Sequence, residues 1–317
     1  MVVKSLFRAF TSSATQTSIE VACDRLTAVS IHRDSQGLCA TVASESLPLG
    51  LLTPDLNARN IADPKAFDEL LGGVLARLPS KPNRVALVIP DSVATVSQVS
   101  LEEVPLRAAE LDELLRWKLG KVAPFRMEDA QVAYDEGSVT EMGGREYTVS
   151  IVRRDILEDY EATCVRAGVH PGVVDLSGFS VINAILSAGP TLLGDWLLVY
   201  VACGYCSVAV MQGDRLVLFR NKMSRGVDGL LDLVHQTSMY YQDRIAGRGL
   251  NQVYLVMGTS ALEDETRETV RSALETDLGL KVGFIELSLK GLQTAGLAGS
   301  ADLVAAPIGL LLRDQGV

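Results

Sequence analysis

Hydrophobic and polar residues alternate in short runs near the start of the chain and again beyond its middle. The first set of runs predicts three neighbouring strands, at 18–21, 27–32 and 37–44. The second set lies in the apolar stretch from Trp196 to Gly226, where a turn at Gly204 separates two strands. Because both halves begin with tightly connected strands and continue with helical patterns, the sequence predicts a duplicated α/β domain.

Helical and buried-strand patterns fill the rest of each half. Asp63-Pro64 supplies an N-cap and an N1 proline to a helix that begins there. After Arg84, the run to Ile89 consists only of Val, Ala, Leu and Ile, and Pro90 ends it. Such a run is typical of a strand buried on both faces. Between about residues 93 and 172 the pattern is β-α-β-β-α, which predicts a compact inserted subdomain.

Composition limits the classes of protein that fit. The chain has 317 residues, of which 48% are hydrophobic, enough for one large or two modest cores. Its formal net charge of -10 disfavours nucleic acid as a partner, because a polyanion is repelled. The longest apolar run, 196–211, is shorter than the ~20 residues that a membrane-spanning helix needs. Residues 1–16 fit either a flexible tail or a short amphipathic helix that touches a membrane surface.

The cysteines indicate a reducing compartment. Their number is odd and they are scattered, at positions 23, 39, 164, 203 and 206. Cys203 and Cys206 have CxxC spacing but lie in a strand-turn pattern without a second Cys or His pair, so we predict buried apolar residues rather than a redox or metal site. No metal site and no catalytic residue is predicted, and the P-loop, HExxH and GxSxG motifs are absent from the sequence.

Several segments, in order along nearly the whole chain, resemble the PilM family of type IV pilus assembly proteins. These are actin-like (ribonuclease H-like) proteins similar to the cell-division protein FtsA. The segments are Glu110–Lys118 with Val122–Phe125 and Tyr134-Asp135, Val173–Asp175 with Ser180–Ala184, Phe219-Arg220 with Ser224–Gly226, and Ala306–Arg313. The resemblance implies a two-lobed α/β fold with an inserted β-α-β-β-α subdomain. The first lobe would be 17–192, with the insert at about 93–172, and the second 193–317, its last helix returning towards the first lobe.

The resemblance also implies an ATP cleft between the lobes, but the residues expected there are altered. The first hairpin should read Asp-x-Gly and reads Glu20-Val21-Ala22, and Thr27 stands where the family usually has lysine. The second hairpin has Ala202 in place of its aspartate. Glycine and carboxylates matter there because backbone N–H groups hold the phosphates and acids order Mg²⁺. We therefore predict that hydrolysis is lost.

Four residues still match a nucleotide site, and they would contact ATP and Mg²⁺ only if nucleotide binds. They are Glu20, Gly204, Gly258 and Thr259. The favoured interpretation is that they are ordinary turn residues of a ligand-free cleft. Asp175, at a strand end, is the best candidate for a functional carboxylate near this cleft, although it has no evident partner for general acid/base work.

The predicted function is a non-catalytic scaffold, or pseudo-ATPase, at the cytoplasmic face of the inner membrane. The resemblance implies that it binds the short cytoplasmic N-terminal segment of a PilN-like single-span protein and links the pilus platform to its motor. A groove beside the inserted subdomain would receive this segment. The alternative is an ATP-binding actin-like protein whose assembly or hydrolysis is regulated by nucleotide.

Overall fold

The computed structural model describes residues 7–8, 15–34, 37–140, 143–188, 194–223, 227–245, 247, 249–259, 264–285, 292–295 and 301–315. The strands are β1 (Phe7–Arg8), β2 (Thr17–Val21), β3 (Arg25–Asp34), β4 (Gly37–Ser46), β5 (Arg84–Ile89), β6 (Ala94–Leu101), β7 (Ala130–Val139), β8 (Arg145–Arg153), β9 (His170–Leu176), β10 (Asp195–Ala202), β11 (Tyr205–Gln212), β12 (Arg215–Met223), β13 (Leu250–Met257), β14 (Val282–Phe284) and β15 (Leu292–Ala295). The helices are α1 (Pro64–Ala76), α2 (Ala108–Leu119), α3 (Arg154–Arg166), α4 (Ser177–Ala188), α5 (Val227–Arg244), α6 (Asp264–Leu278) and α7 (Ala305–Gln315).

The first lobe is built on a seven-stranded sheet in the order β1-β9-β5-β2-β3-β4-β15. The predicted meander is confirmed, since β2, β3 and β4 pair antiparallel. β5 pairs parallel with β2 on one side and β9 on the other, and all its residues after Arg84 are buried, as expected for a central strand. α1 begins where predicted because the Asp63 side chain accepts the N–H groups of Lys65 and Ala66.

The second lobe repeats the core of the first. Its sheet has the order β12-β11-β10-β13-β14, which corresponds strand for strand to β4-β3-β2-β5-β9. In both sheets the first two pairings are antiparallel and the next two are parallel. A helix precedes each parallel strand at the same place in the order, α1 and α3 in one lobe and α5 and α6 in the other. The predicted duplication is therefore present in the topology.

The inserted subdomain has a hydrophobic core of its own. Its three-stranded sheet has the order β6-β8-β7, and α2 packs on it through Leu111, Leu115 and Leu119. The fifth element, α3, follows in the predicted order, but Ile156 and Tyr160 on its buried face belong to the core of the first lobe. Periodicity identified the buried face of α3, whereas the partner of that face depends on the tertiary structure.

The closing helix α7 lies against the first lobe. It packs closely on α4, and a Cβ added at Gly309 would come within 1.9 Å of the Ser180 carbonyl oxygen. Ser18 on β2 donates its hydroxyl to the carbonyl of Pro307 at 2.7 Å. Leu310 of α7 thus belongs to the large hydrophobic cluster that both lobes share, and Ile308 belongs to a smaller cluster on the first lobe.

The N-terminal stretch 1–16 is described only at residues 7–8 and 15–16. Phe7–Arg8 form β1, which pairs antiparallel with β9, so these two residues lie in a strand and not in an amphipathic helix. The other predictions for this stretch, and the motif Ser224–Gly226, fall outside the described residues. None of the helices in the described part of the chain combines the length and the hydrophobicity that a membrane span requires.

Candidate functional site

Two hairpin tips, one from each lobe, meet at the boundary between the lobes, which we call the seam. In the first lobe, backbone hydrogen bonds between Ala22 and Arg25 close a two-residue turn between β2 and β3. In the second, Ala202 pairs with Tyr205 across the equivalent turn between β10 and β11. Both turns contain the last residue of a Val-Ala-Cys tripeptide. The seam comprises residues 20–27, 91, 200–207 and 258–259.

A disulfide bond between Cys23 and Cys203 joins the two tips. Their Cα atoms lie 5.8 Å apart, within the usual range for such a bond. The prediction that the cysteines remain reduced is therefore wrong for this pair, and so is the assignment of Cys203 as a buried apolar residue. That assignment is confirmed for Cys206, which lies in the core of the second lobe. The partner of Cys203 comes from the equivalent hairpin of the other lobe and not from its neighbour in sequence.

Arg25 places a cation in the seam that the sequence analysis missed. Its guanidinium forms a 3.0 Å ion pair with Glu20 and donates to the carbonyl of Gly258 at 2.7 Å. Both charged side chains are almost completely buried. Burial raises the pKa of Glu20, and the nearby Arg25 guanidinium offsets part of this rise. Thr27 stands where the family usually has lysine, and its hydroxyl accepts a 3.2 Å hydrogen bond from Arg25 Nε, so Arg25 supplies a cation at this place instead.

The four residues predicted to contact nucleotide lie at different places in the seam. Tyr200 donates its hydroxyl to Glu20 at 3.4 Å, and its ring lies so close to Gly258 that a Cβ there would be 2.4 Å from it. Thr259 donates its hydroxyl to Asp24 across the seam at 2.9 Å. Glu20, Gly258 and Thr259 are thus brought together by protein contacts. Gly204 is exposed at the hairpin tip with φ +83°, a conformation that glycine adopts readily.

Asp91 is a fully buried carboxylate of the seam that the sequence analysis also missed. Its Oδ1 accepts the N–H of Gly178 at 2.8 Å, and its Oδ2 accepts a 2.6 Å hydrogen bond from Ser207 of the second lobe. Burial raises the pKa of Asp91 to about 7 against the lowering effect of these hydrogen bonds, and the Glu20 charge adds to the rise. Its position just after the buried strand β5 could have identified it. In α/β sheets, binding crevices lie at the carboxyl ends of the parallel strands.

We expect the stability of the protein to depend on pH through Asp91. The pKa is near 3.8 when unfolded and about 7 when folded, so this group's contribution is complete below pH 3.8 and is lost as the pH rises through about 7. Asp91→Asn stays neutral. As the pH rises from roughly 5 to 8, the unchanged protein should lose stability that Asp91→Asn keeps. The free energy of unfolding of the variant minus that of the unchanged protein should therefore increase by about 1–4 kcal/mol over this range. Urea unfolding of both proteins measures this, and a difference that does not vary with pH would contradict it.

Asp175 forms a buried ion pair that the sequence did not indicate. Its Oδ2 forms a 2.8 Å ion pair with Arg313 of α7, and its Oδ1 accepts the N–H of Leu176. The carboxylate is fully buried and the guanidinium almost so. Sequence reasoning missed this pair because Arg313 lies 138 positions away and is brought back by the closing helix. The pair holds α7 on the first lobe and gives Asp175 a structural role.

A concave surface of about 760 Å³ lies beside the inserted subdomain and includes no seam residue. One wall comes from the segment between α2 and β7 and the other from the start of α3. We call it the groove, and its residues are Phe125, Arg126, Glu128, Asp129, Arg153, Arg154, Asp155 and Glu158. It therefore combines an aromatic side chain with three cations and four carboxylates. Within the described residues, no three His, Cys, Asp or Glu side chains are grouped so as to hold a metal ion.

Comparison with known proteins identifies relatives of this chain. A family model described as type IV pilus assembly protein PilM matches residues 18–243. No curated protein matches the sequence. A solved structure described as a PilM-PilN type IV pilus biogenesis complex matches with a TM-score of 0.78 and 16% identity, over 95% of this chain and 98% of that chain. The predicted actin-like α/β fold is thereby confirmed.

A second solved structure belongs to a secretion machine. It is the cytoplasmic domain of EpsL, an inner-membrane component of the type II secretion system of Vibrio cholerae. The TM-score is 0.50 with 12% identity, and the match covers 94% of this chain and 93% of that chain. At this identity the likeness concerns the fold alone.

Proposed function

The chain belongs to the PilM family of type IV pilus assembly proteins, and on that premise we propose that it is a non-catalytic scaffold of a type IV pilus or a related secretion-type machine. In this proposal it is cytoplasmic, lies at the inner membrane, and binds the N-terminal cytoplasmic segment of a PilN-like protein. The observation that carries the proposal is a contrast between two surfaces. The seam is filled by the chain's own side chains, whereas the groove is open.

The groove suits an extended or partly helical peptide. Phe125 offers an apolar contact on one wall, and charged groups of both signs surround it. Arg153 at the end of β8 forms an ion pair with Asp155, and Arg126 lies 3.4 Å from Glu128, so charged side chains within each wall already contact one another before a peptide arrives. A preformed surface reduces the ordering that binding requires, because only the peptide must be fixed.

Removal of the aromatic side chain should weaken the binding of this peptide. We expect Phe125→Ala to raise the Kd for the cytoplasmic segment of the PilN-like partner by about tenfold or more, since buried aromatic side chains contribute much of the affinity at interfaces. Leu106→Ala is the matched control, because Leu106 is fully exposed and lies outside the groove. Fluorescence anisotropy with a labelled synthetic segment measures both. Equal affinities for the two variants would contradict the assignment of the groove.

The seam residues do not fit a magnesium triphosphate. Glu20 is already neutralised by Arg25, and Ala202 offers no carboxylate where the family resemblance calls for one. The ring of Tyr200 lies against Gly258, where the backbone of a nucleotide site must stay clear. The disulfide also holds the two hairpin tips close together. These contacts support the proposal that ATP is not hydrolysed.

Titration with nucleotide tests this part of the proposal. We expect no saturable heat with Mg-ATP up to about 1 mM, a concentration at which a site of even −4 kcal/mol would be half filled, and no release of phosphate. Isothermal titration and a phosphate assay are the measurements. Saturable binding with turnover that falls in Glu20→Ala would instead support the nucleotide-regulated alternative. This outcome is independent of the peptide result, because the groove and the seam share no residue.

A further inference from the structure

The two cysteines of the Cys23–Cys203 bond are more accessible to solvent than the other three cysteines. Cys23 and Cys203 are each only half-buried, and the exposed Gly204 follows Cys203 directly. The three remaining cysteines, Cys39, Cys164 and Cys206, are buried and form no disulfide. Burial raises the pKa of Cys164 to about 12, which makes it a poor nucleophile. A small thiol can therefore approach the disulfide, while the three buried cysteines are shielded from it.

The position of the bond gives it control over the seam. Cys23 and Cys203 occupy equivalent places in the duplicated hairpins, so the bond fixes the two lobes where their tips approach each other. The neighbouring links across the seam are hydrogen bonds, from Arg25 to Gly258 and from Thr259 to Asp24. Such bonds open and close in the folded state, whereas a covalent bond does not. Opening the disulfide would leave the tips joined by reversible contacts alone.

We propose that Cys23–Cys203 is a thiol–disulfide exchange site that takes a dithiol reductant as its substrate and sets how firmly the two hairpin tips are joined. A thiolate of the reductant attacks one sulfur and forms a mixed disulfide, and the other cysteine leaves as a thiolate that takes up a proton. The second thiol of the reductant then displaces the first cysteine. The protein gains two thiols, and the reductant, oxidised by two electrons, leaves as a cyclic disulfide.

A redox titration with oxidised and reduced dithiothreitol tests the exchange in the full, folded chain. After acid quenching, differential alkylation and mass spectrometry report each cysteine separately. We expect Cys23 and Cys203 to change state together and reversibly, while Cys39, Cys164 and Cys206 react only in denaturant. The proposal is overturned if the pair stays as free thiols in the most oxidising mixture. It is equally overturned if the bond resists excess dithiol until the protein is unfolded.

Hydrogen exchange of the backbone tests the effect on the hairpin tips. Reduction should speed amide exchange at residues 20–25 and 200–205 by about fivefold or more, with 145–153 of the inserted subdomain unchanged as an internal reference. The double variant Cys23→Ser/Cys203→Ser, kept in the oxidising mixture, should exchange like the reduced protein. It separates loss of the bond from any other effect of the reductant. Identical exchange in the oxidised protein, the reduced protein and the double variant would overturn the assigned control over the seam.

Discussion

Arg25→Met is expected to lower the free energy of unfolding by about 3–5 kcal/mol, the usual cost of removing one partner from a buried ion pair. The reason is that Glu20 keeps its burial but loses the guanidinium 3.0 Å away, and the carbonyl of Gly258 loses its donor. Methionine retains an unbranched side chain of similar length, so little packing is lost. Guanidinium chloride unfolding, followed by circular dichroism, measures the change.

Two further variants identify the source of this loss. Arg59→Met removes an exposed ion pair with Asp159, which should cost no more than about 1 kcal/mol. The double variant Glu20→Gln/Arg25→Met has no buried carboxylate left without its cation. It should recover part of the stability lost by the single variant. If Arg25→Met were as stable as Arg59→Met, the ion pair of the seam would not be a major support of the fold.

Gly309→Ala should be similarly destabilising, by about 3 kcal/mol or more, because overpacking against backbone cannot be relieved by a side-chain rotation. The new Cβ would lie 1.9 Å from the Ser180 carbonyl oxygen and 2.7 Å from the Ala184 nitrogen, so α7 must move away from α4. That movement would also disturb the ion pair between Arg313 and Asp175. Thermal and denaturant unfolding are the measurements.

Gly73→Ala is the matched control for this substitution. Gly73 also lies inside a helix, α1, but no heavy atom stands within 4 Å of an added Cβ. Alanine there should be neutral or should stabilise by up to about 1 kcal/mol, because it favours the helical backbone. Comparable stabilities of the two alanine variants would show that α4 and α7 can separate without cost.

Much of the fold could be predicted because its signals are local. The cap at Asp63, the apolar run that ends at Ile89 and the strand alternation each specify an element through neighbouring residues alone. The packing partner of α3 could not be predicted in this way. Its apolar stripe is equally compatible with the inserted subdomain and with the first lobe, and only the tertiary arrangement decides between them.

The seam was harder to predict because its contacts join distant segments. Arg25 was overlooked although alternation along β3 places it on the same face as Thr27, which pairs with Glu20. The disulfide had a visible signal in the Val-Ala-Cys tripeptide that recurs 180 positions later. Interpreting it required alignment of the two halves hairpin by hairpin, since duplication places equivalent residues near the boundary that both lobes share.

The covalent link between the hairpin tips has a mechanical consequence. It encloses residues 24–202 in a ring, which contains the inserted subdomain and the groove. A pulling force applied to one residue before Cys23 and another after Cys203 would be carried along the chain by the sulfur atoms, so the backbone from 24 to 202 would not be drawn out. The backbone that carries the groove would then stay closed under a load that stretches the second lobe, and reduction would abolish this protection.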